Sequence, residues 1–204
     1  EKPANRKPII TKLINNFNSE DFLKNGPNDV WEQILYELNK GHQMYIIAPA
    51  VEEDAKIISV NKIEKMLSKY KNEMKIKTLS GKDSKEKQNK TLTSFKNKEF
   101  NVLIASSIVE VGIDVPNSTI VVVVGADRFG ASSLQQIRGR VGRSNLQSYC
   151  YLVPDISFSL QDTKKSATKE RLLSLVNSND GFEIALADLS TRKEGDVLGT
   201  KPVS

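Results

Sequence analysis

Residues 119–125 read TIVVVVG. A short run that is β-branched and apolar at every position from Ile120 to Val124 does not alternate as a half-solvated antiparallel strand must. It reads as a strand covered on both faces. MYIIAPAV (44–51), NVLIAS (101–106) and SYCYLVP (148–154) repeat the pattern, and 9–14 and 75–79 read as shorter strands. Between them the apolar period changes from continuous to helical. Asn28 is placed to cap a helix running to Asn39, with Trp31, Ile34, Leu35 and Leu38 on one face and Gly41 as its stop. That spacing makes Trp31 a core residue rather than a base-stacking platform. A second helix is expected over 59–71, with Val60, Ile63, Met66 and Leu67 inward, and a polar one over 84–98 with Leu92 and Phe95 inward. Buried strands separated by helices predict an α/β fold: one doubly wound, mainly parallel sheet spanning residues 1–154.

Beyond Pro154 the strand pattern stops. Residues 160–178 and 182–189 read as a helical hairpin turning at Asn179-Asp180-Gly181. Leu172, Leu175 and Val176 are expected to face Phe182, Ala185, Leu186 and Leu189. An irregular tail, TRKEGDVLGTKPVS, follows, so 155–204 is expected to form a separate unit. The single cysteine, Cys150, excludes an internal disulfide, sits in an apolar run as a core residue would, and fits a reducing, cytoplasmic compartment. No apolar run approaches the roughly 18 residues of a membrane span. The first residues, EKPANRKP, carry no signal-peptide core, and the chain does not begin with Met, so it is expected to be a piece of a longer protein.

The net charge of +5 and pI near 9.1 permit a nucleic-acid partner. Residues 61–98 hold 12 lysines and 4 acidic residues. They fit either a solvated helical face or a sequence-independent track for phosphates. No aromatics are interleaved with them, so stacking on single-stranded bases is not expected. The arginines are distributed differently. The chain has 7, and four of them, Arg128, Arg138, Arg140 and Arg143, fall within RFGASSLQQIRGRVGR (128–143). A guanidinium is a rigid, always-charged fork that meets a phosphate at two points. Gly139 and Gly142, set among these arginines, let backbone approach a ligand closely.

Ligands of open α/β sheets bind beyond the carboxyl ends of the strands, and two loops are expected there. One is SSIVEVGIDVP (106–116), with Ser106, Ser107, Glu110, Gly112 and Asp114; the other is the arginine segment. In this order and spacing they resemble motifs V and VI of superfamily 2 helicases. ADRFGASSLQQIRGRVGRSNLQSYCYLV, followed by SNDGFEIALADLSTRKEGDVLGT, narrows the resemblance to RecG-type ATP-dependent DNA helicases, from about Lys7 to the end of the chain. Departures from that family's pattern are LSG for LHG at 79–81, Gln135-Gln136 for His-Gln, and Lys201-Pro202 for Arg-Gln.

The resemblance implies the fold of a second RecA-like domain followed by a translocation hairpin. It implies ATP with Mg²⁺ as cofactors and branched or double-stranded DNA as partner. On matching positions, Arg143 would be the arginine finger and Arg140 would lie beside it on the γ-phosphate. Gln136 would touch the nucleotide, while Gly112 and Asp114 would lie at the ribose or at the junction of the two motifs. Ser80, Gly81, Ser106, Ser107 and Arg192 would meet the DNA. No Gly-x-x-x-x-Gly-Lys-[Ser/Thr] cradle and no Asp-Glu-x-His box occur in the sequence, and His42 is the only histidine. The expectation is half an ATPase, whose phosphate cradle and Mg²⁺ ligands belong to an upstream RecA-like domain of the same polypeptide. The rivals are the motor of a transcription-repair coupling translocase, a nucleic-acid-binding module without catalysis, and a bare scaffold for a protein partner. An intact Gln136, Arg140 and Arg143 argue against the last two, because a pure binder needs no finger.

Overall fold

The structure, a computed structural model, describes residues 7–50, 58–106, 114–155 and 163–177. Six strands form one wholly parallel sheet: β1 (Ile10–Leu13), β2 (Gln43–Ala48), β3 (Ile76–Leu79), β4 (Val102–Ser106), β5 (Ser118–Val124) and β6 (Tyr149–Val153), in the order β1-β6-β5-β2-β4-β3. β2, β4 and β5 are buried along their whole length, as their unbroken apolar runs require. Alternate residues feed two cores. Tyr45, Leu103, Val121, Val123 and Cys150 point to one side, and Met44, Ile104, Ile120, Val122 and Tyr151 to the other.

Helices cover both faces. α1 (Ser19–Asn25), α2 (Asn28–Asn39) and α3 (Val60–Met66) bring Phe22, Trp31, Ile34 and Ile63 to the second core. α4 (Lys85–Lys96), α5 (Ala131–Arg138) and α6 (Thr163–Asn177) bring Leu92, Phe95, Leu134, Leu172 and Leu175 to the first. Trp31 is 6% exposed, and its Nε1–H donates to the Phe22 carbonyl at 2.9 Å, so it is a core residue. Leu172 and Leu175 pack on the sheet side of α6, in the same core as α5. Phe182, Ala185, Leu186 and Leu189, their expected partners, lie outside the described residues, as does the second helix of the hairpin.

Several boundaries move for local reasons. Asn28 is the first helical residue of α2 rather than its cap; Pro27 takes the cap position and makes no side-chain cap bond. β2 ends at Ala48, because Pro49 has no amide hydrogen to extend a ladder. The helix expected over 59–71 stops at Met66 and continues only as a 3₁₀ turn, Ser68–Tyr70. α1 and α5 extend the expected pattern. α1 carries a visible signal, since Asn18 Oδ1 accepts the Asp21 amide at 2.8 Å and Glu20 and Asp21 occupy the first turn.

Buried polar side chains fix the strand ends. Gln43, 1% exposed, donates through Nε2 to the carbonyls of Phe95 (2.6 Å) and Phe100 (3.0 Å), tying β2 to the loop between α4 and β4. Glu37, at 5% exposure, accepts from Thr119 Oγ1 at 2.7 Å and pairs with His42 Nδ1 at 2.8 Å. Replacing Gln43 by Leu would leave the buried Phe100 carbonyl without its donor, at a cost of about 1–3 kcal/mol, while the Phe95 carbonyl keeps the Lys98 amide at 3.0 Å. Gln43→Leu should therefore lower the unfolding free energy in urea by about 1–3 kcal/mol with an unchanged m-value.

Candidate nucleotide- and nucleic-acid-facing sites

In a parallel sheet all strands start along one rim and finish along the other. The arginine segment spans both. Gly125, at the end of β5, lies against Pro49 and Asp155 on the carboxyl rim. α5 then carries the chain back. At Gly142 the backbone reaches Ile9, next to the start of β1, and its N–H donates to Ser148 Oγ at 3.0 Å, next to the start of β6. Arg140 and Arg143 therefore stand on the amino rim, not beyond the carboxyl ends where the general rule for open sheets puts ligands. The reason is α5 itself: eight residues of helix separate the loop that leaves β5 from the arginines.

Gly142 makes this corner possible. Its φ of +76° is costly for any residue with a Cβ, and a Cβ here would come within 2.8 Å of Ile9 Cγ1. Arg143 then turns back over the helix end, with Nε–H donating to the Gly139 carbonyl at 2.7 Å. Its Nη1 pairs with Asp114 Oδ1 at 3.3 Å, both side chains being largely open to solvent. Asp114 lies four residues ahead of β5, so this contact joins the two expected motifs at the amino rim. Arg140 is half-buried, and its guanidinium makes no hydrogen bond or ion pair among the described residues. Gln136 lies exposed on α5, one helical turn before Arg140. Gly112 lies outside the described residues.

Tyr45 belongs to this site although its sequence context, inside an apolar strand, gave no sign of it. Burial pushes its hydroxyl up to about 12, the fields of Arg140 and Arg143 pull it down, and Asp114 pushes it up again. The same three charged groups therefore act on one buried phenol at the third residue of β2. Arg138 separates from the other arginines. It is 6% exposed, and its Nη1 donates to the Leu175 carbonyl at 2.8 Å and to Thr11 Oγ1 at 3.3 Å. It ties α5 to α6 and β1 and is a structural residue.

The expected nucleic-acid contacts gather on the carboxyl rim. Ser80 and Gly81 follow β3 directly. Their loop is closed by Asp83, which the sequence reading passed over: its Oδ2 accepts the Ser80 amide at 2.9 Å, and its Oδ1 pairs with Lys87 at 3.1 Å. A carboxylate three residues after a serine, ahead of a helix, is the readable signal for such a turn. Ser106 ends β4, 7% exposed, with a hydroxyl that finds no partner among the described residues. Ser107 and Arg192 lie outside the described residues. No cluster of three or more His, Cys, Asp or Glu that could hold a metal occurs among the described residues, and none of the described helices is long and apolar enough to cross a membrane.

The sequence matches the family model of the helicase conserved C-terminal domain over residues 27–145, and the chain belongs to that family. Within it the similarity runs to RecG. The ATP-dependent DNA helicase RecG of Staphylococcus aureus (strain NCTC 8325 / PS 47) is 37% identical over 202 residues, covering 98% of this chain and 27% of that protein. The Synechocystis enzyme of the same name is also 37% identical, over 98% of this chain and 23% of its own length. The chain thus spans about a quarter of the curated relatives it matches. A solved structure of RecG bound to a three-way DNA junction superposes with a TM-score of 0.67 at 31% identity, over 97% of this chain and 24% of that one. S. cerevisiae Dbp5 bound to RNA and ADP BeF3 shares the fold, with a TM-score of 0.56 at 17% identity over 84% of this chain and 42% of its own. The expected fold, the doubly wound α/β sheet of a RecA-like helicase C-terminal domain, is the one observed, with the sheet wholly rather than mainly parallel.

The Ser80 amide holds the Asp83 carboxyl below its usual 3.8, ahead of the smaller contribution from Lys87. A carboxyl depressed by folding contributes stability that is present above its unfolded value and lost as pH falls through its folded one. Carbon-detected NMR titration should place the Asp83 midpoint below 3.8, and Asp83→Asn should remove that part of the acid sensitivity.

Proposed function

We propose that this chain is the C-terminal motor half of an ATP-dependent double-stranded DNA translocase that remodels branched DNA and stalled forks. Residues 1–154 are the second RecA-like domain in this reading, and 155–204 the translocation hairpin and loop. The observation that carries it is the placement on the amino rim of Arg140, without a hydrogen bond or ion pair among the described residues, together with Arg143 and Asp114. Two guanidiniums there suit the γ-phosphate of a nucleotide held by a facing domain. In this reading the metal and the phosphate cradle belong to an upstream RecA-like domain, since the sequence carries neither the Gly-x-x-x-x-Gly-Lys-[Ser/Thr] cradle nor the Asp-Glu-x-His box.

Energetics support Arg143 as the finger despite its ion pair. An exposed pair such as Asp114–Arg143 is worth about 0–1 kcal/mol. An arginine finger contributes on the order of 10³–10⁵ in rate, about 4–7 kcal/mol of transition-state stabilisation. Asp114 can therefore aim Arg143 between turnovers without withholding it from a phosphate. Gln136, Gly112 and Arg140 complete the nucleotide side. On the DNA side, Ser80, Gly81, Ser106, Ser107 and Arg192 contact the backbone. A buried hydroxyl without a partner costs about 1–3 kcal/mol, and a phosphate oxygen would satisfy that of Ser106.

The 204-residue chain alone should release no phosphate above background, with or without DNA. In the polypeptide that joins it to a P-loop domain, Arg143→Lys should fold and bind ATP yet hydrolyse it about a hundredfold more slowly or worse, since a point charge lacks the fork. Near-normal turnover in that variant would move the finger to Arg140.

A further inference from the structure

Apart from Lys87, which pairs with Asp83, the lysines of residues 61–98 have no part in the site described above. Their 12 positive and 4 negative charges give this segment +8, against +5 for the whole chain, so the other 166 residues sum to −3. A general bias toward lysine codons would not produce that partition. Half of the chain's 23 lysines occupy fewer than a fifth of its positions, and the excess positive charge of the protein resides here.

The fold brings these lysines to one corner. Among the described residues β3 pairs only with β4, which leaves its other side as an open edge. Lys75 and Lys77 are exposed on that strand or just before it, and the Lys77 ammonium sits over the Phe100 ring at 5.6 Å. α4 packs against β3 and buries only Thr91, Leu92 and Phe95. Lys85, Lys90 and Lys96 stay in solvent. Two lysines of the segment are neutralised locally: Lys62 pairs with Glu20 at 3.1 Å and Lys87 with Asp83 at 3.1 Å. Lys75, Lys77, Lys85, Lys90 and Lys96 have no ion pair among the described residues. The corner begins beside the Ser80–Gly81 loop and continues from the carboxyl rim toward the amino rim.

We propose that the open edge of β3 and the outer face of α4 form a second DNA-backbone site, continuous with the Ser80–Gly81 loop, that holds duplex phosphates without reading sequence. From Lys85 to Lys96 the helix advances about 16 Å, and each DNA strand presents a phosphate about every 3.4 Å of axis. Several ammonium groups therefore match the spacing of one backbone segment. Lysine suits this role because a hydrated point charge on a flexible stem accepts phosphates in many geometries. The physical rival is that lysines on an open strand edge serve to prevent edge-to-edge association. The proposal rests on the DNA-translocase reading for the nature of the ligand, but its own test needs no ATPase.

The test is binding of the 204-residue chain to a labelled DNA duplex across a salt series, followed by fluorescence anisotropy. Variants would be Lys75→Gln/Lys77→Gln/Lys90→Gln and the same three positions changed to Arg, each checked for an unchanged thermal transition. Each phosphate contact contributes about 0.9 to the slope of log K against log salt. The Gln triple variant should bind less tightly, with a slope shallower by about 2–3, while the Arg triple variant retains the wild-type slope. An unchanged slope in the Gln variant overturns this site while leaving the translocase reading intact, and self-association of that variant would identify the lysines as edge protection. A wild-type chain that does not bind duplex at all overturns both.

Discussion

A parallel sheet buried on both faces restricts polar chemistry to its rims and its two outer edges. Every residue of β2, β4 and β5 is buried. Charged groups can be offered to a ligand only where strands begin, where they end, or along β1 and β3. The two rims here carry different residues. The amino rim holds Asp114, Arg140 and Arg143, and the carboxyl rim holds the Ser80–Asp83 turn and the end of β4 at Ser106. A helix that returns the chain from one rim to the other, α5, thereby sets how far the guanidiniums stand from the loops expected to meet DNA.

The four clustered arginines show how one residue type serves different ends within sixteen positions. Arg138 is spent internally, on a carbonyl of α6 and a hydroxyl of β1. Arg143 is split between a helix-end carbonyl and a carboxylate, and Arg140 is uncommitted. Burial decides the assignment. A guanidinium withdrawn from water must have its donors matched, whereas one at the rim can keep them for a ligand.

The legible parts of the fold were those governed by period. Unbroken apolar runs gave the central strands, and the i, i+3, i+4 spacing of Trp31, Ile34 and Leu38 gave the buried face of α2. α1 escaped because its seven residues are mostly polar and bury only Ser19, Phe22 and Leu23, too few for a periodic signal. The rim assignment of Arg140 and Arg143 was not legible, because it depends on the length and direction of α5, which tertiary packing fixes. Tyr45 was hidden for a related reason: in an apolar strand a tyrosine reads as core, and only the register shows which end of the strand it occupies. Arg138 carried no signal that separated it from its neighbours.

The Asp114–Arg143 contact has a thermodynamic consequence. Asp114 is only eight residues from Ser106, yet they stand at opposite rims of the sheet. Linkage is reciprocal: a ligand that binds Arg143 better when it is free of Asp114 must find its own affinity altered by whatever holds the segment ending at Asp114, by the same factor. A salt bridge worth less than about 1 kcal/mol sets a ceiling of roughly fivefold on what that single contact can transmit. Any stronger communication between the rims has to travel through the packed body of the sheet.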